Sequence, residues 1–273
     1  MNGGFLLALY KARHAFCSAT TKYALMKASL FLLVISILYT RHAISQTIND
    51  AIYYGSLNKT IHQGQYDGVI SGKDLVKHGD FAVGSIKKLA GEVVMTDGKA
   101  YVFAIGVKAR RLTSTDSLPF AATKFFKAEQ KFVLNRPLSL QQLKTFLDSV
   151  RTKNAFAAIK ISGSFTTIKY KIYQPQEKPY PPTTAVPVQL MDSTQIRGTI
   201  AGFYTPTAAL VLNSPAYHFH FMNQAHTSGG HVEDLLISRV TIEIDYATAL
   251  HIALPAPRLL QNIDLEKQET GTP

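Results

Sequence analysis

From Ala155 to Pro255 the chain is written almost entirely in strand-like runs, and no other feature limits the fold as strongly. The runs are "AFAAIKISGSFTTIKYKIYQPQ", "IRGTIAGFY", "AYHFHFM", "HVEDLLISRVTIEID" and "LHIALP", rich in residues that suit a pleated surface. The first predicts two strands meeting near Ser162-Gly163-Ser164. In the second of these, Ile168, Tyr170 and Ile172 alternate with Lys169, Lys171 and Tyr173, the period-two pattern of a strand with unlike faces. The following "QEKPYPPTTAVP" holds four prolines, which lack an amide hydrogen and restrict their predecessors, so it is extended or loop-like.

The first half mixes strands with short helices. "VISGKDLVKH" opens with a short helix or turn. "EVVMT" and "KAYVFAI" flank Asp97-Gly98, a two-residue hairpin signal that puts Glu92 at the open end of the pair. "FFKAEQKFVLN" reads as a further strand. "PLSLQQLKTFLDSVR" reads as a helix: Ser139 and Gln142 have capping-box spacing, and Leu140, Leu143, Leu147 and Val150 share one face. Strands outnumber helices, which predicts a mixed, sheet-rich α/β chain with a boundary near residue 150.

A chain of 273 residues, 46% hydrophobic and 17% charged, suffices for one large domain or two small ones. Its net charge of +11 is unevenly placed. Residues 1–45 carry Lys11, Arg13, Lys22, Lys27 and Arg41 and no acid; the rest holds 24 basic and 18 acidic residues, net +6, without a long run of one sign. That leaves no nucleic-acid footprint. The same leader has Lys27, an apolar stretch from Ala28 to about Tyr39 and then Ala43-Ile44-Ser45, the order of a secretory signal. The apolar stretch is shorter than the roughly 20 residues a bilayer span needs. Residues 1–45 are therefore expected to be a signal peptide cleaved before Gln46, with Met26 as an alternative start and an uncleaved membrane anchor as the competing reading. The mature protein would be periplasmic or secreted, without stable membrane association. Cys17, the one cysteine, lies in that leader, so a metal in the mature chain must be held through nitrogen and oxygen.

Four histidines crowd "AYHFHFMNQAHTSGGHVEDLL". On a strand, His218 and His220 point to one side and Phe219 to the other. A turn through Thr227-Ser228-Gly229-Gly230, where glycine permits angles closed to other residues, would return the chain with His231 beside the first two. Three imidazoles with an open position suit a catalytic zinc. His226, in the loop, is expected to be solvated. A cupin would want a glutamate shortly after the pair, where this chain has Asn223 and Gln224.

The motifs "YHFHF…SGGHVEDLL", "RGTIAGFYTP", "QEKPY" and "KHGDFAVGSIKKLAGE…DG" together resemble the α-acetolactate decarboxylase family across almost the whole mature chain. The resemblance implies two tandem sheet-rich α/β domains with mixed β-sheets, placed at residues 46–150 and 151–273, and a zinc ion in the C-terminal half on His218, His220 and His231. It also implies Glu92, of the family's L-x-G-E motif, and a glutamate from the C-terminal tail, for which Glu269 is preferred to Glu266, as catalytic groups. Ser85 stands where the family has a threonine and would bind substrate. An active-site arginine of the family falls, without gaps, on Lys171 of "YKIY".

The implied reaction is zinc-dependent decarboxylation of 2-acetolactate to (R)-acetoin and carbon dioxide through a metal-stabilised enediolate, with the glutamates managing the hydroxyl and the proton. The partner is then a small molecule, with a homodimer left open. Lysine in the arginine's place keeps the charge and loses the planar fork. Two alternatives follow: a metal-binding homologue with weakened or shifted activity on another small 2-hydroxy-3-oxo acid, and a non-catalytic extracellular module that keeps zinc for stability.

Overall fold

In the computed structural model, which describes residues 50–214 and 216–266, Asp97 and Gly98 both adopt positive φ and close the expected hairpin. It joins β4 (Glu92–Thr96) to β5 (Lys99–Phe103), with Glu92 opposite Phe103 at the open end. Before it lie β1 (Ala51–Gly55), β2 (Ile70–Ser71) and β3 (Phe81–Ser85). After it come β6 (Arg110–Arg111), β7 (Ser117–Leu118), β8 (Phe120–Lys124), β9 (Gln130–Leu134) and β10 (Leu138–Ser139). The second half supplies β11 (Phe156–Tyr173), β12 (Val188–Thr205), β13 (Ala216–Asn223), β14 (Gly229–Ala247) and β15 (Ala249–Ala253). Four α-helices are described: α1 (Asn58–His62), α2 (Gly72–His78), α3 (Leu140–Val150) and α4 (Pro257–Leu260).

A seven-stranded sheet runs β15-β1-β8-β3-β4-β5-β6, mixed because β15 lies parallel to β1 while the other pairs are antiparallel. A six-stranded antiparallel sheet runs β10-β14-β11-β12-β13, with β9 also on β14. The chain thus trades elements across residue 150: β15 enters the first sheet, and β9 and β10 enter the second. β2 and β7 form a separate small pair.

One apolar cluster draws on both sheets, including Tyr54, Phe81, Val83, Val94 and Phe120 from the first and Ala158, Phe203 and Met222 from the second. α2 covers the outer face of the first sheet through Leu75, and α3 that of the second through Leu143 and Leu147. Both capping boxes are made, by Ser71 with Asp74 and by Ser139 with Gln142. Leu143 and Leu147 are fully buried, worth about 1.5–3 kcal/mol each. Because both faces of β3, β4 and β8 are covered, those strands are buried at every position. An ion pair inside this packing joins the sheets: Lys124 on β8 reaches Asp245 on β14 at 2.9 Å, both buried.

Two local expectations are corrected. The run from Phe156 to Tyr173 is one strand: Gly163, packed against the Arg239 carbonyl, keeps the ladder unbroken by pairing with Gly198 on β12 and Val240 on β14. "FFKAEQKFVLN" is a strand only from Gln130 to Leu134. The leader, 1–45, lies outside the described residues; among those described, no helix is long and apolar enough to cross a membrane.

Candidate metal centre and active site

β13 sorts its side chains as its alternation requires. Tyr217, Phe219 and Phe221 join the core beneath α3, while His218 and His220 face the first sheet. There His218 stacks on Phe120 of β8 (6.0 Å between rings), and His220 Nδ1 meets the Val93 carbonyl of β4 at 3.0 Å. β13 pairs along its length with β12 and at its end with the first residues of β14, where the sheet curls back on itself. That pairing sets His231 directly opposite His220. One ring nitrogen from each of His218, His220 and His231 lies within 4.8 Å of the others.

The glycines before His231 act differently from expectation. The turn spans 224–228, with His226 at φ 56°, while Gly229 and Gly230 already belong to β14 without positive φ. They are needed for close approach: a Cβ would sit 2.4 Å from the Phe221 carbonyl oxygen at 229 and 2.7 Å from that of Lys171 at 230. His226 packs on Tyr101 (4.5 Å) and stands apart from the three clustered histidines.

The donor set fits a cation on hydrogen-bond grounds. The Val93 carbonyl can only accept, so His220 Nδ1 carries the proton and Nε2 a lone pair. Asn213 Oδ1 accepts from the Ser214 amide at 2.9 Å and so also accepts from His218 Nδ1 at 2.6 Å. His218 Nε2 is then a lone pair too, 3.0 Å from that of His220. Two facing acceptors need something positive between them, and the Asn213 and Val93 oxygens fix the other nitrogens as metal-bound imidazoles are commonly fixed. Burial favours the same neutral state. It pushes His220 down to about 4 and, aided by neighbouring imidazoles and Lys171, lowers His218 and His231 well below the ordinary range. A quarter of the His231 side chain reaches solvent, which leaves an approach to the cluster.

Ser85 and Glu92 are cross-strand partners on β3 and β4, and with the three histidines they line one cleft. The Glu92 carboxylate lies 3.6 Å from His220 Nε2. Its pKa rises to about 8 because burial outweighs the pull of the Lys171 charge and of the Tyr173 backbone N–H. Lys171 on β11 is opposite His231 and contacts Glu233 at 2.8 Å. Burial opposes its charge, yet Tyr173 and Glu233 outweigh burial and hold its pKa above the ordinary lysine value.

Sequence reasoning missed Tyr173, Asn58 and His62, which also line the cleft, and Asn213 and Glu233, which support it. Tyr173 had a signal, since it shares a strand face with Lys171. Asn213 had none, because its role depends on how the chain enters β13. Glu269 lies outside the described residues. Glu266 is exposed. The segment before it is tied to α1 and Gln63 by Lys59 Nζ donating to the Leu265 carbonyl (2.6 Å) and by two Gln63–Asp264 hydrogen bonds (2.6 and 2.8 Å).

Comparison with known proteins gives a consistent answer. The family model for alpha-acetolactate decarboxylase matches residues 52–267. The alpha-acetolactate decarboxylase of Methanosarcina mazei is 34% identical over 244 residues, covering 83% of this chain and 82% of its own. That of Brevibacillus brevis is 32% identical, over 82% of this chain and 79% of its own. The crystal structure of the Bacillus subtilis strain 168 enzyme superposes with a TM-score of 0.77 at 29% identity, covering 80% of this chain and 94% of that one. The chain belongs to the alpha-acetolactate decarboxylase family.

Proposed function

We propose that this protein decarboxylates 2-acetolactate to (R)-acetoin and carbon dioxide with a zinc ion held by His218, His220 and His231. The observation that carries the reading is the pair of unprotonated Nε2 atoms 3.0 Å apart, each with its Nδ1 already donating. Three neutral nitrogen ligands and no thiolate suit zinc with an open position. When bound, such an ion supplies Lewis acidity that draws electron density onto substrate oxygens.

The chain's own groups supply the rest. Lys171, charged and beside Tyr173 of the cleft lining, attracts the substrate carboxylate. Ser85 offers a hydroxyl to a substrate oxygen. Loss of carbon dioxide breaks a C–C bond whose electron pair passes through the former 2-carbon to the keto oxygen, and that skeleton must then gain a proton on one face. Glu92, buried away from bulk water and 3.6 Å from His220 Nε2, is placed to take a proton from the substrate hydroxyl and return it to that carbon. Glu269 is assigned the partner role at the hydroxyl. The same reading treats residues 46–150 and 151–273 as two tandem domains, with the metal in the C-terminal one, supported by the origin of most strands in each sheet. It also takes the protein to be periplasmic or secreted, supported by the order of residues in 1–45.

Racemic acetolactate offered to the zinc-loaded protein should yield acetoin and carbon dioxide, with loss on chelation and in H218A. Stoichiometric zinc without turnover would favour a homologue with a shifted substrate or a non-catalytic module.

A further inference from the structure

We infer that Glu233 is a positioning residue for Lys171, fixing the ammonium so that an incoming carboxylate meets it in one orientation. The inference rests on the reading of Lys171 as the carboxylate's partner and adds to it a residue that shapes substrate affinity.

The argument starts from strand register. β11 and β14 pair Lys171 with His231, Tyr170 with Val232 and Lys169 with Asp234, so Glu233 has no partner and is the extra residue of a β-bulge. A bulge re-aims one side chain without disturbing the ladder on either side, and bulges concentrate beside active sites. Here the re-aimed side chain is an acid whose Oε1 lies 2.8 Å from Lys171 Nζ and 4.0 Å from His231 Nε2. Tyr173 flanks the same ammonium, with its ring centroid 5.4 Å from Nζ, and itself lines the cleft.

Lysine needs such help more than arginine would. Its ammonium is a compact charge on a flexible four-carbon stem, whereas a guanidinium presents a rigid fork. Glu233 on one side and Tyr173 on another restrict where the ammonium can sit and so the directions from which a carboxylate can meet it. Glu233 is too exposed for a core role, its side chain being 38% accessible.

The test is a double-mutant cycle with E233A and K171R on the full chain loaded with zinc. Three quantities are read: zinc content, KM and kcat on acetolactate, and calorimetric Kd for 2-hydroxy-2-methylpropanoate. That acid carries the carboxylate and hydroxyl but no keto group to accept electrons. In the lysine enzyme, E233A and E233Q should raise KM and Kd by about tenfold, with a smaller change in kcat and full zinc content. In the K171R enzyme the E233A effect should shrink to about twofold, because the fork carries its own orientation. Equal effects in both backgrounds, a fall in KM on removing the acid, or loss of zinc in E233A would each overturn the proposal. A zinc-loaded parent that neither turns over acetolactate nor binds the hydroxy acid would instead sink the reading beneath it.

Discussion

His220 on β13 and His231 on β14 sit directly across an antiparallel pair, ring centroids 5.2 Å apart, although eleven positions separate them in the chain. Cross-strand opposition brings side chains close without strain, and the i, i+2 relation to His218 then completes a three-nitrogen cluster. Replacing any of these three histidines by alanine should lower zinc affinity by more than about 100-fold, since losing even a group that only hydrogen-bonds a ligand costs roughly 10- to 100-fold. H226A, whose ring packs on Tyr101, should retain metal. Metal analysis after gel filtration checks this; equal zinc loss in H226A would displace the site.

The Glu92 carboxyl, at a pKa of about 8 and 3.6 Å from His220 Nε2, should be the group that releases a proton when the ion binds at pH 7. A divalent charge that close favours the carboxylate, whereas the three histidines are already neutral. Calorimetry in buffers of different ionisation enthalpy should find close to one proton released, and E92Q should abolish that release along with turnover. An unchanged proton count in E92Q would assign the proton elsewhere.

Acid should weaken the metal-free fold. The unfolded chain protonates its histidines as pH falls below about 6.5, while His220 in the fold resists to about 4 and His218 and His231 are also lowered. The unfolded state therefore binds more protons in that window, and the stability present above it is lost on the way down, on the order of 3 kcal/mol from His220 alone. Glu92 acts oppositely, its raised pKa favouring the fold at low pH, but it is one group against three. Urea unfolding of metal-free protein at pH 5 and pH 7 measures the difference, and zinc-loaded protein should lose its ion and activity together as the pH approaches about 4, where His220 gains a proton. Greater stability at pH 5, or full zinc retention at pH 4, would contradict this.

What was legible in the sequence was whatever depends on local period. The Asp97-Gly98 hairpin, the α3 capping box with Leu143 and Leu147, and the split of His218 and His220 from Phe219 follow from spacing alone. What was hidden depends on pairing between distant segments. The curl that puts β13 against β14, the bulge at Glu233, the Val93 carbonyl behind His220 and the parallel placement of β15 leave no mark in their own neighbourhoods. The glycines at 229 and 230 show the limit well: local sequence suggests a turn there, whereas close packing against Phe221 and Lys171 is what excludes a side chain.

K171R tests whether the lysine between Glu233 and Tyr173 is a substitute for arginine or a different device. Arginine's charge does not depend on its surroundings and its two parallel donors match a carboxylate, while Lys171 depends on Glu233 at 2.8 Å and on Tyr173 for its placement. If orientation limits the present enzyme, K171R should raise kcat/KM on acetolactate by up to about tenfold, a fraction of what misplacement by an ångström can cost. K171M, which keeps the stem and removes the charge, should instead lose about 100-fold or more. Steady-state kinetics on zinc-matched preparations decides the matter: a sharp loss in K171R would show that the compact ammonium, seated between Glu233 and Tyr173, has a role an arginine cannot take.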